Sequence, residues 1–261
     1  MADGTHTLGF GVTYDMVAVQ TACGQLLSLT SHRGDDRIPP HKHVNDYVCM
    51  VLTGGFAEQE RNRWHERRAG CYFTHQAGET HYDRFGPQGA VCLNLHFARG
   101  EPGPELSGIC PTPARVAADR LAFELAARSS EELVMASLAA EIMADLRRGA
   151  AGAPDRGKWI ERIIAAISDE PCRRWTLGEL AGIADRHPVH VAQSFRAATG
   201  TSLGAFQRLR RVTRLSIALR YGETPLAILA GDFGYCDQSH MNAEFRAAFG
   251  ISPGRYRRDV H

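Results

Sequence analysis

Phe195-Arg196-Ala197-Ala198, followed by Gly200, Ser202 and Gly204, is written again fifty residues later as Phe245-Arg246-Ala247-Ala248, Gly250, Ser252 and Gly254. His190 and His240 keep the same spacing, and Leu180-Ala181-Gly182 returns as Leu229-Ala230-Gly231 at an offset of 49. A repeat of this period is one supersecondary unit used twice. Each copy reads as helix, tight turn, helix. In the first, Thr176 with Glu179 forms a capping box ahead of the apolar stripe Leu177, Leu180, Ala181 and Ala184. Asp185-Arg186-His187 makes the turn, Pro188 suits the first position of the next helix, Val191 and Phe195 face a core, and Gly200 ends it. In the second, Thr224-Pro225 opens a helix through Leu226, Ile228 and Leu229. Residues 231–235 then turn, Asp237 caps a helix carrying Met241 and Phe245 inward, and Gly250 stops it. Leu203, Phe206, Leu209, Val212, Leu215 and Leu219 keep helical spacing from about Ser202 to Arg220, so one long helix joins the copies.

Two short helices on a rigid spacer can enter successive segments of one major groove. The faces opposite the core positions carry Val189, Gln193 and Arg196 in the first unit and Gln238, Ser239, Asn242 and Arg246 in the second. Gln and Asn can bond bidentately to adenine, and a short apolar group such as Val189 or Ala192 can touch a thymine methyl. Arg208, Arg210, Arg211, Arg257 and Arg258, with Arg196 and Arg246, suit phosphate contacts. His190 and His240 complete the candidate DNA-binding set, although their place beside core positions equally suits capping or packing. Charge divides the same way. Residues 1–155 hold 14 Lys and Arg against 19 Asp and Glu, whereas residues 156–261 hold 16 against 10, so the basic half attracts DNA and the acidic half repels it.

The run Gly234-Tyr235-Cys236-Asp237-Gln238-Ser239-His240-Met241, then Phe245-Arg246, then Phe249-Gly250-Ile251-Ser252-Pro253-Gly254-Arg255-Tyr256-Arg257, closely resembles the signature of AraC/XylS-type regulators. The resemblance spans roughly residues 156–261. It implies a seven-helix domain that binds double-stranded DNA with its third and sixth helices in the major groove, and RNA polymerase as a partner if the protein is an activator. Ala192 and Ala243 stand where the family often has larger polar readers.

The N-terminal half has short β-type runs between close turns, as in residues 46–52 before Thr53-Gly54-Gly55 and residues 90–97 after Gly86-Pro87, so an all-β barrel is expected. Gly34, His41 and His43 resemble the first cupin motif. Gly70, Gly78 and His81 resemble the second, with Gln76 in place of its proline. The resemblance implies an effector-binding barrel. Alternate residues of a strand share a face, so His41 and His43 can point inward together, with His81 as a third ligand for a divalent metal. The carboxylate position of metal cupins is filled by Tyr47, and Asp46 is one residue out of register. Histidines hydrogen-bonded around an apolar pocket are the alternative. An organic effector would meet His41, His43, Tyr47, His81 and Arg84. A redox sensor would use Cys49, Cys71 or Cys92. A metal-dependent cupin enzyme fused to a DNA-binding module is the runner-up to a regulator without catalytic residues, since a catalyst needs no pair of DNA-reading units.

Leu121, Leu125, Leu133, Leu138, Ile142 and Leu146 give residues 113–148 an amphipathic helical pattern that serves either to cover the barrel or to form a homodimer. Residues 149–155, Gly-Ala-Ala-Gly-Ala-Pro-Asp, read as a flexible linker. The expected organisation is a two-domain chain: a cupin-like barrel at 1–110, a helical extension and linker at 111–155, and an all-α double helix-turn-helix domain at 156–261. Seven scattered cysteines without a CxxC pair fit neither a disulfide framework nor a zinc ribbon. With no signal-like start and no long apolar run, a soluble cytoplasmic protein without membrane contact is expected.

Overall fold

The computed structural model describes residues 6–150 and 158–260, and the chain divides into two compact units, Met1–Arg156 and Gly157–His261. In the first unit the described strands are β1 (His6–Leu8), β2 (Met16–Ala22), β3 (Gln25–His32), β4 (Arg37–His43), β5 (Tyr47–Glu60), β6 (Arg63–Arg68), β7 (Cys71–His75), β8 (Thr80–His96) and β9 (Ser107–Ile109). They form one hydrogen-bonded sheet whose backbone is the long pair β5 and β8, matched from Tyr47 opposite His96 to Glu60 opposite His81. One end of this pair carries β7 and β9 beside β5, and β3 and β2 beside β8. The other end carries β6 beside β5, and β4 and β1 beside β8.

The two ends meet where the register shifts between Val51 and Thr53 and again between Gly54 and Phe56. Such bulges bend and twist a strand, and here they let both ends share one interior. Ile38, Phe56 and Phe85 from one end pack with Tyr47, Cys49, Phe73 and Cys92 from the other. Gly54, with φ of +69°, sits so close to the crossing strand that a Cβ there would lie 1.9 Å from the Gly89 carbonyl oxygen. A Cβ on Gly34 would lie 2.0 Å from the Pro87 carbonyl oxygen, so both glycines are required by backbone approach. The all-β half expected from the sequence is observed, cupin-like in its folded-over sheet. Among the described residues its ladder does not close into a ring, because only β5 and β8 run through both ends.

Two helices complete this unit, α1 (Thr112–Ala127) and α2 (Glu132–Ala150). They pack on each other and against β2, and α1 also reaches β3 and β5. Leu121, Leu125, Leu138, Ile142 and Leu146 are buried in these contacts, whereas Leu133, placed in the same stripe by its spacing, is exposed at the start of α2. Of the two roles open to the pair, covering the sheet is the one these contacts perform. Arg115 fastens α1 to β5, its Nη2 donating to the Leu52 carbonyl at 2.9 Å. In the expected linker, residues 149 and 150 continue α2, and residues 151–155 lie outside the described residues.

The second unit contains α3 (Lys158–Asp169), α4 (Leu177–Ala184), α5 (Pro188–Thr199), α6 (Leu203–Tyr221), α7 (Leu226–Asp232), α8 (Gln238–Phe249) and α9 (Pro253–Val260), seven helices among the described residues. Val191 and Phe195 of α5 and Met241 and Phe245 of α8 are fully buried, and α6 runs between the copies with Phe206, Leu215 and Leu219 in the core. Leu177 and Ile228 are exposed, so the apolar stripes of α4 and α7 are narrower than their sequences suggest. No helix among the described residues is long and apolar enough to cross a membrane.

Candidate functional site

The two copies in the second unit share a glycine stop but differ in the side chain that caps the helix start. The α5 cap is His187, whose Nδ1 accepts from Val189 N at 3.3 Å, and the α8 cap is Asp237, which accepts from His240 N at 2.7 Å. Both helices stop at a left-handed glycine, Gly200 at φ of 70° and Gly250 at φ of 72°. The first copy opens on the expected capping box, Thr176 and Glu179 exchanging hydrogen bonds. Those bonds to Thr176, with one from Arg173, hold the Glu179 carboxyl down at about 2.

On the outward faces Val189, His190, Gln193 and Arg196 of α5, and Gln238, Ser239 and Arg246 of α8, are exposed. Arg208 and Arg258 are exposed as well. His240 and Asn242 are half-buried: the His240 ring meets Tyr235 edge to face at 5.3 Å, and Asn242 Oδ1 is buried without a hydrogen-bond partner. Three arginines expected at phosphates are differently used. Arg210 and Arg211 are buried, Arg210 over the Phe206 ring and Arg211 over Tyr235 with Nη1 3.8 Å from Glu244 Oε1. The half-buried Arg257 donates to the Thr224 carbonyl at 2.7 Å, tying α9 to the segment before α7. The reason is that α6 is enclosed by helices of both copies, so a face that looks polar along its sequence is interior.

In the first unit β4, β5, β7 and β8 aim side chains into one cavity of about 40 Å³, lined by Tyr14, His41, His43, Tyr47, His75 and His81 over a floor that includes Phe56, Phe85 and Cys92. That space holds a few waters or a small hydrated ion, since one water needs about 10–15 Å³, but it is far below the roughly 300 Å³ of an organic-ligand pocket. His41, His43 and His81 do converge, with ring nitrogens within 4.8 Å of one another. His41 Nδ1 donates to the Pro39 carbonyl at 3.0 Å, which leaves Nε2 as its lone-pair nitrogen. Tyr47 fills the carboxylate position of the motif as a hydrogen-bond donor, its hydroxyl 3.2 Å from His43 Nε2. Burial lowers His41 to about 4, His43 to about 3 and His81 to about 2, holds His75 well below its ordinary range, and raises Tyr47. The site therefore presents neutral imidazoles and a neutral phenol.

Arg84 does not belong to this site. It is exposed on the outer face of β8, with its guanidinium 5.2 Å from the Trp64 ring, while its neighbour Asp83 is the residue that turns inward. Strand alternation puts successive residues on opposite faces, so the arginine and the aspartate cannot both face the cavity. Asp46 accepts from Ala77 N and Gly103 N, each at 2.7 Å, and so pins two loops. Sequence reasoning missed Glu58, His75 and Asp83. The alternation was there to find them: Glu58 follows Phe56, and His75 follows Phe73, by two residues on inward-facing strands. Cys49 and Cys92 are buried, and the Cys92 hydrogen bond and burial push the Cys49 thiol up, the reverse of what a reactive thiolate needs.

Residues 180–259 match the family model described as "Helix-turn-helix domain". An AraC-like transcription regulator of Streptomyces antibioticus is 32% identical over 95 residues, 36% of this chain and 31% of its own length. The RCS-specific HTH-type transcriptional activator RclR of Escherichia coli K12 is 32% identical over 100 residues, 38% of this chain and 34% of its own length. The chain thus spans about a third of the length of these curated relatives. The unsaturated fatty acid bound ToxT of Vibrio cholerae strain SCE256 is 10% identical over 91% of this chain and 96% of its own, with a TM-score of 0.37, too low to bear on the fold. The paired caps, the fifty-residue repeat and the family match make the C-terminal unit of this chain a helix-turn-helix domain of the AraC/XylS type.

Proposed function

We propose that this chain is a sequence-specific DNA-binding transcriptional regulator whose N-terminal β unit senses a small ligand, with a metal ion as the occupant its cavity suits. The observation that carries the reading is the duplicated helix, α5 and α8, each capped by a side chain at its start and stopped by a left-handed glycine, exposing Val189, Gln193 and Arg196 in one copy and Gln238, Ser239 and Arg246 in the other. Gln193 and Gln238 are placed for adenine edges, and Arg196, Arg208, Arg246 and Arg258 for phosphates. His190 is available beside them, and the half-buried His240 and Asn242 serve mainly to orient α8. Between the copies α6, of 19 residues, gives a rigid spacer about 28 Å long. An effector shifts DNA binding only if the two arrangements of the chain hold it with different affinity. A cupin enzyme is the lesser reading, because nothing in catalysis calls for two DNA-reading helices.

The test is binding of the purified full chain to fragments of its own upstream region and to a nonspecific duplex of equal length, titrated against salt. Saturable, selective binding whose affinity falls steeply with salt supports the regulator. Loss of all binding even at low salt overturns it and brings the enzyme forward.

A further inference from the structure

The interior wall of the first unit carries an electrostatic mismatch. Glu58 on β5 and Asp83 on β8 are cross-strand partners, and both side chains are buried, Glu58 at 0% exposure. Arg67 answers one of them, Nε donating to Glu58 Oε2 at 2.7 Å. The second Glu58 oxygen, Oε1, lies 3.2 Å from His75 Nε2 yet makes no hydrogen bond. His81 Nδ1 and Asp83 Oδ1 are likewise buried without hydrogen-bond partners. Buried polar atoms are nearly always satisfied, and buried charges are paired or coordinate metals. All three orphaned atoms belong to metal-ligand residue types, and Glu58 and His81 form with His75 a buried group whose donor atoms lie within 4.8 Å of one another. Two donors on one tetrahedral ion with bonds of about 2.0–2.1 Å are separated by about 3.3 Å, which matches the Glu58 to His75 spacing. By contrast, His43 Nε2 is already occupied by the Tyr47 hydroxyl.

We propose that Glu58, His75 and His81 bind a divalent transition-metal ion such as zinc through one carboxylate and two imidazoles, with the remaining position open to the cavity. The inference deepens, and rests on, the reading of the β unit as a sensor. It moves the ion away from the motif pair His41 and His43, with which His81 was first grouped. Arg67, bonded to the far oxygen of Glu58, orients the carboxylate.

The experiment uses the full chain, stripped with a chelator and titrated with zinc and with cobalt(II) against a chromophoric competitor. The wild type is expected to take up one equivalent. Glu58→Gln and His75→Asn are expected to weaken binding by at least about 100-fold, more than loss of an outer-shell partner usually costs. Wild-type affinity in Glu58→Gln or His75→Asn, with loss in His41→Asn, overturns the proposal but leaves a metal sensor standing. No uptake of either metal by the wild type overturns both. If the variants do not fold, X-ray absorption of the cobalt-loaded wild type decides: two imidazoles with oxygen donors support the assignment, and three imidazoles refute it.

Discussion

Arg211 of α6 stacks over Tyr235 and stands 3.8 Å from Glu244 of α8, whose carboxylate also accepts the Tyr235 hydroxyl at 3.1 Å. One buried guanidinium therefore holds the joining helix, the second turn and α8 in register. Removing one partner of a buried pair leaves the other uncompensated, so Arg211→Ala should destabilise the C-terminal unit by about 3 kcal/mol. Arg246, exposed on α8, should behave oppositely. Arg246→Ala should leave the melting temperature unchanged, weaken DNA binding across sequences, and reduce the slope of log affinity against log salt by about 1. Thermal melts and salt titrations of both variants separate the roles. An Arg211→Ala protein that melts like the wild type but loses salt dependence would contradict the burial assignment.

The caps of α5 and α8 should matter unequally. Asp237 makes a short charged cap to His240 N at 2.7 Å, whereas the His187 ring accepts from Val189 N at 3.3 Å. Asp237→Ala should cost about 1 kcal/mol, and His187→Ala less. Denaturant unfolding monitored by far-ultraviolet circular dichroism measures both, and equal losses would show that the caps are not what fixes these helix starts.

Glu58 and Asp83 oppose one another as buried carboxylates. In chelator-stripped protein at neutral pH, Asp83→Asn should leave the melting temperature nearly unchanged, because burial and the facing Glu58 push the Asp83 carboxyl well above the usual carboxylate range and so favour the neutral acid, which an amide mimics. A lower melting temperature would mean that the Asp83 carboxylate makes a contact the wild-type fold needs.

His96 links stability of the β unit to pH. It is buried between Ser28 Oγ at 2.9 Å and Asn45 Nδ2 at 3.3 Å, and burial lowers it to about 4. The unfolded chain protonates near the ordinary value of about 6.5. Its contribution is thus complete above that pH and is lost as pH falls from 6.5 toward 4, reaching about 3 kcal/mol at the acid limit. Comparing melts of stripped wild type and His96→Asn from pH 7 to 4.5 tests the point. The wild type should lose more stability on acidification, and parallel curves would rule out His96 as a source of the dependence.

The repeated unit was legible because its signals are local. A cap, a turn and a left-handed glycine are each written within a few residues, and the fifty-residue offset of the sequence reappears as α5 at Pro188–Thr199 and α8 at Gln238–Phe249. The close backbone approaches at Gly34 and Gly54 were not legible: in the sequence Gly34 is a motif position and Gly54 part of a turn, and the carbonyls they face come from Pro87 and Gly89, over thirty residues away. The site was legible in part. His41 and His43 share a strand face and His81 pairs opposite His41, but Glu58 and His75 arrive from β5 and β7, and no short motif joins them. Arg84 was misplaced for want of the strand register, which turned Asp83 inward instead.

By itself, then, the sequence determined the helix-turn-helix pair, its caps and the β character of the first half, all consequences of short-range sterics and periodicity. Only tertiary structure decided that Arg210 and Arg211 are interior, because burial depends on which helices enclose α6. Only tertiary structure likewise set Glu58, His75 and His81 within ligand distance, because β5, β7 and β8 converge through pairings and bulges that act across tens of residues.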